Sequence, residues 1–299
     1  MNVSAPIRPV GSFFNAPVGD LDDLRPEMIA LTGVYCDHFS GGTPGGRFAA
    51  RQMRYASSGK AISLDTANMV DIGDLNVFPL DPAGNEAILA EQCTRILATG
   101  AGLIAFGGDY SVSPALFAGF HAASLGKSVG LIRISKRLDL CVVTQNSPRR
   151  DTATTRIASQ IPNGLTNVAL LGATGLQSTD EHDRATGALF VPRAKLYDQS
   201  DTSLSACRAQ MMDRCDAIYL SVDADALNPW LSRTAIRNGD PGISTEQLLA
   251  MLKMLQGLPV RAADLTGHLP DLDLPGQISS ASNAAIGYAL AEILRAATR

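Results

Sequence analysis

Two aspartates that could hold a cation stand two residues apart near the middle of the chain. Asp223 and Asp225 follow the apolar run 217–220, within the string Ser-Val-Asp-Ala-Asp-Ala-Leu-Asn-Pro at 221–229. In extended chain, side chains two residues apart point to the same face, so these carboxylates should lie side by side. Buried neighbouring carboxylates repel each other unless a cation lies between them. The source of that cation is the central question for this sequence.

Three more polar segments follow apolar runs in the same way. They are Gly-Gly-Asp-Tyr-Ser at 107–111, Ser-Lys-Arg-Leu-Asp at 135–139 and Asp-Leu-Thr-Gly at 264–267. In open parallel sheets, ligands bind outside the carboxyl ends of the strands. We therefore expect all four segments to line one pocket.

Short apolar runs alternate with helix-period segments along the chain, which predicts a parallel sheet covered by helices on both faces. The predicted strands are Ile29–Tyr35, Gly102–Phe106, Ser128–Ile134, Val168–Leu171, Ala217–Val222 and Val260–Asp264. The predicted helices are Arg47–Ala56, Asn85–Thr99, Val112–Ala123, Leu204–Asp213, Thr245–Leu255 and Ser279–Ala296. Ser244 and Gln247 have the spacing of a capping box at the start of one of them.

Composition restricts the class of protein. The 299 residues are 45% hydrophobic, enough for one large core, and we predict a single α/β domain over 1–299 with 1–28 as an N-terminal extension packed on it. A net charge of −4 argues against nucleic-acid and membrane-surface partners. No apolar run reaches about 18 residues, and residues 1–14 lack a signal-peptide core. Five cysteines without a C-x-x-C pair are typical of a reduced, cytoplasmic protein.

The order of these segments resembles the ureohydrolase family of arginases and agmatinases. The strings S-x-D-x-D-x-x-[DN]-P and G-G-D-x-S carry the resemblance, which runs from about Phe13 to the C-terminal helix. It implies a three-layer α/β/α sandwich around a mostly parallel sheet of about eight strands. It also implies two bridged Mn²⁺ ions, which make a hydroxide that attacks a guanidinium carbon and releases urea.

Carried over by residue, the resemblance implies six metal-ligand positions, of which this chain keeps three. The family's G-G-D-H-S has a histidine where this chain has Tyr110, and its D-A-H-x-D has an aspartate and a histidine where this chain has Ser135 and Arg137. The retained ligand positions are Asp139, Asp223 and Asp225. We expect no cofactor, or Mn if the remaining carboxylates still bind metal.

The substrate side of the family pattern is also changed. The family's D-x-x-E ends in a glutamate that holds the substrate guanidinium, and this chain has Gly267 there. The non-ligand aspartate before the proline is Asn228. No histidine occurs between His121 and His182, so the family's catalytic-shell histidine has no counterpart.

Arg137 suggests how the acidic cluster is neutralised. If the segment is extended, Ser135, Arg137 and Asp139 share the face that the retained aspartates should line. A guanidinium keeps its proton and cannot ligate a metal. We therefore hypothesise that Arg137 pairs with Asp223 or Asp225 in place of a metal ion. The alternative for the two aspartates is a structural turn in which they cap backbone amides.

The other pocket candidates are Asp109, Tyr110, Ser135, Asn228, Gly267 and His268. We interpret Tyr110 as a packed aromatic rather than a catalytic phenol, and His268 as a solvent-exposed loop histidine rather than a displaced catalytic group. We interpret Asp264 as support for a loop rather than a substrate ligand.

Three functions remain open at this point. The first, which we prefer, is a divergent ureohydrolase relative that has lost the dinuclear manganese site and is non-catalytic or repurposed. It could assemble as a homo-oligomer, a trimer or hexamer, or as a hetero-oligomer with an active paralogue. The second is a metal-dependent hydrolase of guanidino or other linear amidine compounds. The third is a protein that binds or senses a small-molecule ligand in the old pocket.

Overall fold

The computed structural model describes residues 11–38, 44–58, 65–78, 81–144, 152–174, 185–197, 202–229, 242–273 and 278–297. Eight strands form one sheet in the order β2-β1-β3-β8-β7-β4-β5-β6, and every pairing is parallel. The strands are β1 (Ile29–Val34), β2 (Met69–Leu75), β3 (Gly102–Phe106), β4 (Val129–Ile134), β5 (Val168–Leu171), β6 (Leu189–Val191), β7 (Ala217–Asp223) and β8 (Val260–Thr266).

The described residues also form seven α-helices, which cover both faces of the sheet. These are α1 (Ala49–Ser57), α2 (Pro82–Ala98), α3 (Val112–Ala123), α4 (Ala153–Ala158), α5 (Ser203–Arg214), α6 (Thr245–Met254) and α7 (Ile278–Ala297). Residues from α1, α5, α6 and α7 belong to one buried apolar cluster, and residues from α2, α3 and α4 belong to the other. The predicted three-layer α/β/α sandwich is confirmed.

Strand residues alternate between the two cores. Ile104 and Phe106 of β3 belong to one cluster, whereas Leu103 and Ala105 belong to the other. Because both faces are buried, such strands read as continuous apolar runs, and this is why six of the eight were predictable. The Ser244–Gln247 capping box is also present. Strands β2 and β6 and helix α4 were not predicted.

A buried ion pair fixes the edge strand β2. The Arg54 guanidinium on α1 donates to both carboxylate oxygens of Asp71, at 2.8 and 2.9 Å, and also pairs with Asp74 at 2.6 Å. The backbone N–H of Phe13 donates to the same Asp71 carboxylate at 2.9 Å, and the Phe13 ring packs against Phe106 with centroids 4.5 Å apart. Residues 11–28 of the predicted extension are therefore anchored to the sheet, while 1–10 lie outside the described residues.

None of the described helices combines the length and the apolar character that crossing a bilayer demands. The five cysteines are free thiols, four of them buried and Cys141 half-buried.

Candidate functional site

Four neighbouring strands bring the polar segments together. β3, β8, β7 and β4 lie side by side in the sheet, and their carboxyl ends lead into 107–111, 264–268, 223–225 and 135–139 respectively. Parallel strands place these ends at the same edge of the sheet. The sequence-predicted pocket segments are therefore neighbours.

Arg133 is the central cation of this edge. It lies in β4, is only 1% exposed, and its Nη2 donates to Oδ2 of Asp139 and to Oδ2 of Asp223, both at 2.7 Å. Its Nη1 donates to Oγ of Ser221 at 3.2 Å, the residue opposite it in β7. One guanidinium thus joins two of the three retained carboxylates.

Arg137 provides a second guanidinium on the same carboxylates. Its Nη2 lies 3.0 Å from Oδ1 of Asp139, and its Nε lies 3.6 Å from Oδ2 of Asp225. The hypothesis named Asp223 or Asp225 as its partner; the structure brings it to Asp225, while Arg133 takes Asp223. Three carboxylates therefore face two guanidinium groups.

The segment that carries Arg137 is not extended, contrary to the assumption made from its alternating pattern. β4 ends at Ile134, the backbone N–H of Arg137 donates to Oγ of Ser135 at 3.1 Å, and Asp139 has a φ of 52°. The chain bends back after the strand, so Asp139 and Arg133 meet although they are six residues apart. Oγ of Ser135 also donates to Oδ1 of Asp225 at 3.5 Å.

Burial dominates the electrostatics of the cluster. Desolvation acts to raise the pKa of the fully buried Asp223 carboxyl; the charge of Arg133 acts against this shift, and the charges of Asp225 and Asp139 add to it. Burial acts to lower the pKa of Arg133, but the carboxylates of Asp223 and Asp139 raise it above its ordinary value. Arg133 is therefore a buried cation that the neighbouring carboxylates keep protonated.

A second layer of hydrogen bonds supports Arg133. Oγ of Ser221 donates to Oδ1 of Asp264 at 2.8 Å, and the Tyr219 hydroxyl donates to Oδ2 of Asp264 at 2.7 Å. Asp264 is fully buried in β8. It therefore supports the network below the carboxylates rather than a loop, which corrects the interpretation made from the sequence.

Tyr110 lies over the cluster, against Gly267. The tyrosine is 1% exposed, and its ring centroid lies 5.5 Å from Cζ of Arg137. A β-carbon at position 267 would lie 2.7 Å from both Cε1 and Oη of Tyr110, closer than non-bonded atoms approach. Burial, with the Asp225 carboxylate, raises the pKa of the Tyr110 phenol well above its ordinary value, so the ring is neutral. The structure thus has a packed aromatic here.

His268 is buried, and its interpretation as a solvent-exposed loop histidine was wrong. It is 0% exposed, and its Nε2 lies 3.2 Å from Oγ of Ser280 on α7. Its Nδ1 is buried without a hydrogen-bond partner among the described residues. Burial lowers the pKa of its imidazole to about 4.

Two pocket candidates make contacts of other kinds. Oδ1 of Asp109 accepts hydrogen bonds from the N–H and the hydroxyl of Ser111, at 3.0 and 2.5 Å, where α3 begins. The backbone N–H of Asn228 donates to the carbonyl of Ile243 at 2.8 Å.

Arg133 was not among the predicted site residues, because it lies two residues before the family-like segment 135–139. A usable signal was present, since Arg133 stands in the apolar run Val129–Ile134. An arginine inside a strand buried on both faces must have an acidic partner.

Comparisons with known proteins agree with this architecture. The sequence model of the Arginase family matches residues 27–291, and the chain belongs to that family. A formimidoylglutamase from Halobacterium salinarum is 29% identical over 231 residues, covering 75% of this chain and 73% of the relative. A formimidoylglutamase from Salmonella paratyphi B is 26% identical over 272 residues, covering 89% and 85%.

Solved structures show the same fold. A hypothetical agmatinase from Burkholderia thailandensis superposes with a TM-score of 0.83 at 21% identity, covering 96% of this chain and 90% of that one. A formimidoylglutamase from Bacillus subtilis superposes with a TM-score of 0.82 at 18% identity, covering 99% and 95%. Similarity at this level of identity concerns the fold.

Proposed function

We propose that this chain is an arginase-family protein that no longer carries out two-metal amidine hydrolysis, because its own arginines neutralise the carboxylates that would hold the metals. The observation that carries this proposal is the position of Arg133, whose Nη2 lies 2.7 Å from a carboxylate oxygen of both Asp139 and Asp223. Such charge-assisted bonds in a buried site are among the strongest that a carboxylate makes.

The residues present do not fit a dinuclear manganese centre. Mn²⁺ prefers carboxylate, imidazole and water ligands, and the described part of the chain holds no group of three or more His, Cys, Asp or Glu side chains arranged around a metal position. Tyr110, Ser135 and Arg137 stand at the positions where the resemblance implies ligands. A guanidinium has no lone pair for a metal and would repel it.

The substrate side supports the same proposal. Gly267 stands where the resemblance implies a carboxylate for the substrate guanidinium, and Tyr110 fills the adjoining space. With neither the metals nor that carboxylate, the family reaction has no hydroxide source and no anchor for a cationic substrate. A non-catalytic member of an oligomer, made of its own copies or shared with an active paralogue, is the cellular role we propose, in the cytoplasm.

A metal-dependent hydrolase of linear amidines is the second candidate, and the comparisons favour it over the first. The curated relatives quoted above are formimidoylglutamases, and the chain matches most of their length. This function requires both arginine side chains to leave the carboxylates so that Asp139, Asp223 and Asp225 can bind at least one metal. The third candidate, a protein that binds a small molecule at this site, is compatible with arginines that stay on the carboxylates and with arginines that leave them.

Elemental analysis combined with turnover separates these candidates. The chain is expressed in medium supplemented with manganese and purified without chelators, beside a formimidoylglutamase relative as positive control. We expect no stoichiometric Mn, Ni or Zn. We also expect no urea from arginine, agmatine or guanidinobutyrate, and no formamide from formiminoglutamate. Stoichiometric metal with release of either product would establish the hydrolase instead.

A further inference from the structure

The phenol end of Tyr110 occupies the space next to Gly267. A β-carbon at position 267 would lie 2.7 Å from Cε1 and Oη of Tyr110 and 2.8 Å from its Cζ. All three atoms belong to a buried ring, so they cannot move aside into solvent. The Tyr110 ring and a side chain at 267 therefore exclude each other.

The same ring packs on the charged cluster. Cζ of Arg137 lies 5.5 Å from the ring centroid, and Nε of Arg137 in turn lies 3.6 Å from Oδ2 of Asp225. The Tyr110 hydroxyl is buried without a hydrogen-bond partner among the described residues. A phenol in that position fills volume at the expense of an unsatisfied hydroxyl.

We propose that Tyr110 closes the part of the pocket in which a guanidinium or amidinium group would bind, so that the wild-type protein takes no linear guanidino compound there. Gly267 is the complementary half of this closure, because only a residue without a side chain leaves room for the ring. The inference rests on the proposed function, since a pocket that hydrolysed linear amidines would have to admit them.

A double-mutant cycle tests the steric part of the proposal. Gly267→Ala is made in the wild type and in a Tyr110→Leu background, which lacks the three crowding atoms. The positive φ of Gly267, 78°, strains alanine equally in both backgrounds and cancels in the cycle. We expect the fall in Tm caused by Gly267→Ala to be at least halved when residue 110 is leucine. An equal fall in both backgrounds, or failure to fold in both, would overturn the closure.

Ligand binding tests the functional part. Methylguanidinium is titrated by calorimetry into the wild type and into Tyr110→Leu/Gly267→Glu, which opens the space and supplies a carboxylate, with methylammonium as the control ligand. We expect the double variant to bind methylguanidinium at least roughly tenfold more tightly than the wild type. Phe120→Leu, a truncation of another buried aromatic on α3 that packs on Phe117 and Tyr219, should behave like the wild type.

Two results contradict the closure. One is a wild type that binds methylguanidinium as tightly as the double variant; the other is a folded double variant that binds no better than Phe120→Leu. Neither depends on metal content, so the closure can fail while the proposed function holds. Conversely, stoichiometric metal in the wild type would refute the proposed function, whatever the result of the double-mutant cycle.

Discussion

Nη2 of Arg133 lies 2.7 Å from Oδ2 of Asp223, and both side chains are almost completely buried. The pair joins adjacent strands, β4 and β7, at the edge of the sheet where the candidate site lies. A buried pair of this kind adds little compared with well-packed apolar residues, but removing one partner leaves an uncompensated charge. The carboxylates of this site therefore depend on Arg133.

Replacing Arg133 should show that dependence as a loss of stability. We expect Arg133→Ala to lower the free energy of unfolding by roughly 3–5 kcal/mol, because Asp139 and Asp223 lose their shared partner. Arg51→Ala, at an exposed position on α1, is the matched control and should cost less than about 0.5 kcal/mol. Urea denaturation measures both. Equal effects of the two substitutions would show that Arg133 does not hold the cluster.

Arg137 should be coupled to Asp225. The guanidinium is 9% exposed and the Asp225 side chain 4%, so we expect Arg137→Ala to cost roughly 3–5 kcal/mol rather than the small loss typical of surface residues. In a cycle with Asp225→Asn, the coupling free energy should be about 0.5–3 kcal/mol. Additive effects would mean that the two side chains do not interact in solution.

His268 should make stability depend on pH. Its pKa is lowered from 6.5 to about 4 in the folded protein, so the unfolded state binds more protons between these values and stability rises with pH. The free energy of unfolding has its full value, as far as His268 is concerned, above about pH 6.5. It falls by roughly 3 kcal/mol in all as the pH decreases towards 4. His268→Gln should flatten the unfolding free energy across this window.

His121→Gln is the control for histidine removal, and it should leave that pH dependence in place because His268 is unchanged. An identical pH profile for the wild type and His268→Gln would show that folding does not lower the pKa of the imidazole.

Restoring metal ligands should require Arg133 to be removed. Tyr110→His, Ser135→Asp and Arg137→His together restore the ligand side chains that the family resemblance implies. They should not suffice for metal binding, because Arg133 still occupies Asp139 and Asp223 in the triple variant. We expect stoichiometric manganese only after Arg133→Asn is added, measured by elemental analysis after dialysis. Full manganese loading of the triple variant would contradict this, because it would show that manganese displaces Arg133 from Asp139 and Asp223.

Much of the fold could be predicted because apolar runs mark strands that are buried on both faces. Strand β2 was missed because Asp71 and Asp74 interrupt its pattern, and their partner Arg54 lies on a helix that only the tertiary structure brings near. The short edge strand β6, three residues long, gives too little pattern to recognise.

The candidate site was predictable in outline but not in its contacts. The family-like spacing located the three carboxylates and Arg137. The contact between Arg133 and Asp139 was not predictable, because it depends on how the backbone bends at Asp139 after β4. His268 contacts Ser280 of α7, a helix that begins 10 residues further along the chain. A contact of this kind leaves no local signal in the sequence.

We propose that guanidinium groups occupy the place of metal ions at this site. A crystal structure of the wild-type chain soaked in Mn²⁺, with anomalous scattering measured at the manganese edge, would show which cations the three carboxylates hold. We predict no anomalous peak among Asp139, Asp223 and Asp225, with Arg133 and Arg137 still bound to them. Two peaks roughly 3.5–4 Å apart, with both guanidinium groups turned away, would contradict it.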